Sequence, residues 1–212
     1  MVSFLPIALA SGLGCVAAGG LRLREGADYG RDGRDIWVRG PWELVEPSAD
    51  VDEVIDQLCP AVMRLADARG GDDGVEYCGL LYKGADGRFY ASAPSRISGA
   101  EGEDGPSLTK TCVVPLKVHD PAGVRSIEAD YHNHCWPDSP LSSRRDSAAR
   151  NQLYSIRIQF DTTCHVYKFV PHVGEPVPAK VFIRVGRAWS LLRVIPLWDK
   201  ESGNILPPFE VP

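Results

Sequence analysis

The stretch "YHNHCWPDSPLSSRRD", residues 131 to 146, concentrates side chains that can hold a metal ion. His132 and His134 stand two apart, so on an extended strand both imidazoles point to one side and Asn133 to the other. Asp146 follows twelve residues beyond His134, in a segment, "SSRRDSAARNQL", that reads as a short helix with Ser143 at its cap. Two neutral imidazoles and one carboxylate leave a tetrahedral Zn²⁺ with its fourth position open to water, the arrangement of catalytic zinc. Bound water then has a pKa of about 7, and hydroxide becomes available at neutral pH. Such a site needs a proton acceptor. Glu76 opens the otherwise apolar "EYCGLL", where an unpaired carboxylate would be costly to bury.

The elements that must position these residues follow from periodicity. "SADVDEVIDQLCPAVMRLADARGG" sets Val51, Val54, Ile55, Leu58, Val62 and Leu65 at helical spacing, with Asp50 and Glu53 as a capping box and Gly70 and Gly71 as a stop. Pro60 is expected to bend this helix about midway. "VEYCGLLYK" and "RFYASAP" flank Asp86-Gly87 as a β-hairpin. "TCVVPLKV" and "SIEADYHNH" read as two further strands, and "IRIQF", "CHVYKFV", "KVFIRV" and "SLLRVI" as later ones. The order predicts a mixed α/β (α+β) domain: one mixed sheet, a long N-terminal helix and a short helix after the HxH motif. No internal repeat is evident.

A chain of 212 residues with a 44% hydrophobic composition is one domain with terminal extensions. Residues 1 to 20 are uncharged and apolar and end in small residues, which predicts export through a signal segment. Cys15 in "SGLGC" matches a lipoprotein cleavage site in part, and a lipid anchor there would be the chain's one membrane contact. Residues 21 to 48 mix glycine, charge and tryptophan as an irregular lead-in with one short strand at Ile36 to Val38; 49 to 200 form the domain and 201 to 212 a tail. Net charge is −5, which excludes a general attraction to nucleic-acid phosphates. The six cysteines contain no CxxC pair, so a metal site would be built from histidine. Without Cys15 five cysteines remain, and at least one stays outside any disulfide.

Glu76 in E-x-x-G-L-L, His132 and His134 in H-x-H, and Ser143 and Asp146 in S-x-x-D together resemble the JAB or MPN+ metalloprotease family, also called JAMM. The resemblance implies a JAB/MPN-like fold over roughly residues 50 to 200. It makes His132, His134 and Asp146 the zinc ligands, Glu76 the general acid/base and Ser143 a stabiliser of the tetrahedral oxyanion. The substrate it implies is a peptide or protein, cut at an amide or isopeptide bond. The chain departs from the family pattern in having Cys135 where proline is usual, and in a loop from His134 to Ser143 one residue longer than usual. Cys135 could approach the metal as a soft ligand or act as a redox brake.

Other functions fit the same residues less well. A metal-free MPN-like scaffold would not require Glu76, His132, His134 and Asp146 together. A JAB-like domain of a secreted toxin or effector system would keep all four. In HNH nucleases the named residues lie far apart, not in a contiguous "HNH" as here. A cysteine hydrolase built on Cys135 would need His134 as its base, yet adjacent residues on a strand face opposite sides. His119, His165 and His172 lack paired ligand spacing and are expected outside the site, and Trp136 either lines a groove or covers the core edge.

Overall fold

A computed structural model describes residues 20–98, 112–137 and 148–202. The fold is mixed α+β, mostly strands, with few helices and two sheets. Two strands come first, β1 (Tyr29–Asp32) and β2 (Asp35–Arg39), then helix α1 (Val51–Val62). They are followed by β3 (Cys78–Gly84), β4 (Phe89–Ala91), β5 (Lys117–His119), β6 (Val124–Asn133), β7 (Arg157–Phe160), β8 (Val166–Val170), β9 (Ala179–Val185), β10 (Ala188–Ile195) and a short helix α2 (Leu197–Lys200). The seven-stranded sheet runs β10-β9-β8-β7-β6-β3-β4, with every pair antiparallel except β6 and β7.

The expectation of one sheet is corrected by the second, β1-β2-β5. In residues 29–39 the expected short strand at Ile36 to Val38 forms within β2, and β1 is a second strand where an irregular lead-in was expected; Trp42 and Val45 enter the main core. The reason is pairing at a distance. β5 joins β2 in parallel, Val118 opposite Val38, and neither strand is long enough to show a period. The expected hairpin forms as β3 and β4, with Gly87 at φ +84° in its turn, a backbone that glycine adopts without penalty.

Helix α1 is shorter than its apolar pattern. Asp50 caps it by accepting from the Asp52 N–H (2.9 Å), while Ser48 Oγ both donates to Glu53 and accepts from the Asp50 N–H. Beyond Pro60 the bonding tightens to Arg64 N–H on Ala61 and Leu65 N–H on Val62. Leu21 then takes the Arg64 carbonyl and the Ala66 N–H, both at 2.9 Å, and the backbone leaves the helix. The predicted bend at Pro60 is therefore close to an end. Of the expected helix after the HxH motif, only a 3₁₀ turn at Ala149–Asn151 lies among the described residues.

Each face of the large sheet has its own cover. Leu81, Ala129, Tyr131, Ile158, Phe160 and Val166 pack with Val54, Ile55, Leu58 and Val62 of α1. On the other face Leu80 packs with Tyr29, Ile36 and Val38 of the small sheet. Two disulfides add constraint: Cys59–Cys164 joins α1 to the β7–β8 turn, and Cys78–Cys112 joins β3 to the segment before β5. Disulfides persist in oxidising compartments, so both are compatible with an exported protein. Among the described residues no helix is long and apolar enough to cross a membrane.

Candidate functional site

His132 is the penultimate residue of β6, and His134 follows directly after the strand. Both are buried, with 4% and 1% of their surface exposed, and their rings converge: the two Nε2 atoms are 3.2 Å apart. A contact that short requires a lone pair on at least one of the facing nitrogens. Two imidazole nitrogens, each at about 2.0–2.1 Å from a tetrahedral zinc, would be separated by about 3.3–3.4 Å. The observed separation of 3.2 Å is close to that value. Ring centroids at 5.1 Å and a 50° tilt show that the planes are inclined, so the contact is made between ring edges.

The segment that carries Glu76 is tied to the same strand end. Cys78 lies opposite His132 at the end of the antiparallel β3–β6 ladder, and half-buried Glu76 stands two residues before Cys78, just outside that ladder. Asn133, on the face opposite the histidines, holds the backbone on both sides of Glu76. Its Oδ1 accepts from the Tyr77 N–H (2.7 Å), and its Nδ2 donates to the Val75 carbonyl (3.3 Å) and the Ala68 carbonyl (3.2 Å). Gly79 has a steric role. A Cβ there would lie 2.3 Å from the ring of Tyr131, which is fully buried and donates its hydroxyl to the Ser92 carbonyl.

Ser143 and Asp146 lie outside the described residues. Among the described residues no group of three or more His, Cys, Asp or Glu side chains is gathered to hold a metal. Cys135 is in neither disulfide. It is buried against the 70–74 turn, where a Gly74 Cβ would come within 2.7 Å of its sulfur, and its carbonyl accepts from the Gly71 N–H. Trp136 is partly exposed beside that turn. The other histidines have partners elsewhere: His119 stacks on Trp37, His165 meets Asp161 at 3.0 Å and His172 meets Glu175 at 3.3 Å.

Two buried polar features escape a reading of the sequence alone. The first is an ion pair, Arg157 Nε to Asp130 Oδ2 at 2.7 Å, between register partners on β7 and β6 two residues before His132. Burial, and then the Asp130 charge, push the neighbouring Tyr154 hydroxyl up to about 12. The second is Gln159, the register partner of His132, which is 1% exposed and has neither carboxamide atom hydrogen-bonded among the described residues. In the alternating strand "IRIQF" both Arg157 and Gln159 read as a solvent-facing side, so the sequence gives no signal of their burial. Asp161, at the next turn, has its carboxylate used by Thr163 and His165.

No family model, curated protein or solved structure matches the chain. The family resemblance therefore rests on the motif residues and their placement.

Proposed function

We propose that this chain is a zinc-dependent peptidase or isopeptidase of JAB type, with a JAB/MPN-like fold and an exported site of action. The observation that carries the reading is the convergence of two buried imidazoles, Nε2 to Nε2 at 3.2 Å, at the strand end where the Glu76 segment is tethered. His132, His134 and Asp146 would hold zinc, which when bound supplies Lewis acidity and a water that is acidic at neutral pH. Glu76 takes a proton from the attacking water as its oxygen bonds to the amide carbon. It then returns that proton to the departing amine as the C–N bond breaks. Ser143 donates to the oxygen of the tetrahedral carbon. Placement at the carboxyl end of parallel β6 and β7 agrees with the general tendency of α/β ligand sites to lie beyond strand carboxyl ends.

The test is elemental analysis of untagged protein beside a His132→Ala/His134→Ala variant, followed by digestion of a peptide library read by mass spectrometry. Near-stoichiometric zinc in the wild type and none in the double variant is expected. Glu76→Gln should keep the zinc and lose about 10²–10⁴-fold in turnover. A wild type that takes up no zinc after reconstitution would replace this reading with a metal-free binding module.

A further inference from the structure

Gln159 stands out as a polar side chain that the fold does not use. Its Cα is level with His132 in the parallel β6–β7 ladder. Two residues earlier the partners Asp130 and Arg157 touch at 2.7 Å, so side chains paired in this ladder share a face. Gln159 and His132 therefore project to the same side of the sheet. The carboxamide is buried, and among the described residues neither Nε2 nor Oε1 has a hydrogen-bond partner. A primary carboxamide offers two donors and an oxygen with two lone pairs. Burying all of these unused is destabilising, and a native protein tolerates it where something else completes the bonding. A leucine or methionine would pack there without that penalty, so the amide chemistry is what sets this residue apart.

We propose that Gln159 is a substrate-recognition residue whose carboxamide pairs with a peptide group of the substrate beside His132. This rests on the peptidase reading and names what that site recognises: the planar amide itself, independent of side-chain charge. A carboxamide presents a donor and an acceptor in one plane, which complements the C=O and N–H of a secondary amide. An anionic ligand would instead call for Arg or Lys at this position, and Arg157, which lies on the same face, is engaged by Asp130.

The experiment uses the full chain reconstituted with zinc and titrated by calorimetry with acetohydroxamate, a small zinc chelator that carries a C=O and an N–H. Gln159→Met, close in shape, is compared with wild type, and Gln159→Leu stands in if the Met variant does not fold. The expected result is unchanged zinc content, acetohydroxamate affinity weaker by about 3–15-fold, and a metal-free melting temperature equal to wild type or higher by about 2–4 °C. Unchanged affinity overturns the proposal and leaves a carboxamide satisfied by water alone. A lower melting temperature with affinity intact overturns it in favour of a structural role. A wild type that binds no zinc overturns the metal reading and this proposal together, an outcome distinct from a zinc-loaded wild type whose variant binds the probe normally.

Discussion

β6 and β10 belong to the same sheet and break the usual rule of burial in opposite directions. β6 is bonded on both sides, by β3 and β7, and its carboxyl half buries Asp130, His132 and Asn133. Among the described residues β10 is bonded only to β9, and it exposes Leu191, Leu192 and Val194, with Leu191 54% exposed. Part of that exposure follows from a register shift between Leu191 and Arg193, which upsets the alternation of faces. The contrast shows that position in the sheet sets the consequence of a side chain's polarity. At the centre every buried polar group must find a partner or lose stability, whereas at the edge water is close and an exposed leucine costs little.

The largest expected effect lies at the centre. Asp130→Ala leaves the Arg157 guanidinium buried without its carboxylate and should lower stability by about 3–5 kcal/mol in urea unfolding. A loss below about 1 kcal/mol would show that the pair behaves as a surface one and would break the comparison. Gly79→Ala, which sets a methyl against the Tyr131 ring, should cost about 1–3 kcal/mol in the same assay.

A smaller effect is expected at the β7–β8 turn, where burial raises the Asp161 carboxyl but hydrogen bonds from Thr163 and His165 outweigh it and hold it below its ordinary 3.8. A carboxyl depressed in the folded state contributes stability that is complete above its unfolded value. That stability is lost as pH falls through the lower folded value. Asp161→Asn should therefore flatten the stability profile below about pH 4 and little above it, as read by thermal unfolding across pH. A variant whose acid limb matches wild type would remove Asp161 from the account. The smallest effect belongs to the edge: Leu191→Ser should change stability by less than about 0.5 kcal/mol. A loss of 2 kcal/mol or more, on the order of a core truncation, would show that β10 is packed in solution.

Several elements were legible because their signal is local. Strands β6 to β10 show period-2 patterning or short apolar runs, and the hairpin of β3 and β4 is announced by Asp86-Gly87. The start of α1 follows from Asp50 and the apolar spacing of Val54, Ile55, Leu58 and Val62. Its end was not legible. Residues 63–66 keep helical periodicity, but Leu21, more than 40 positions earlier, competes for their backbone groups. The small sheet was hidden for the same reason, since β2 and β5 meet across about 80 residues.

By itself the sequence determined the residue types and spacings of the candidate site: the H-x-H pair, the glutamate before a glycine and two leucines, and the S-x-x-D beyond. Strand alternation, a property of every extended chain, was enough to set His132 and His134 on one side and Asn133 on the other. Only the tertiary structure decided what that strand faces. The approach of Nε2 to Nε2, the clamp of Asn133 around Glu76, and the pairing of Gln159 with His132 all depend on which strands lie beside β6 and in what register. Register is set by the packing of whole faces, a sum over distant residues that no local window contains.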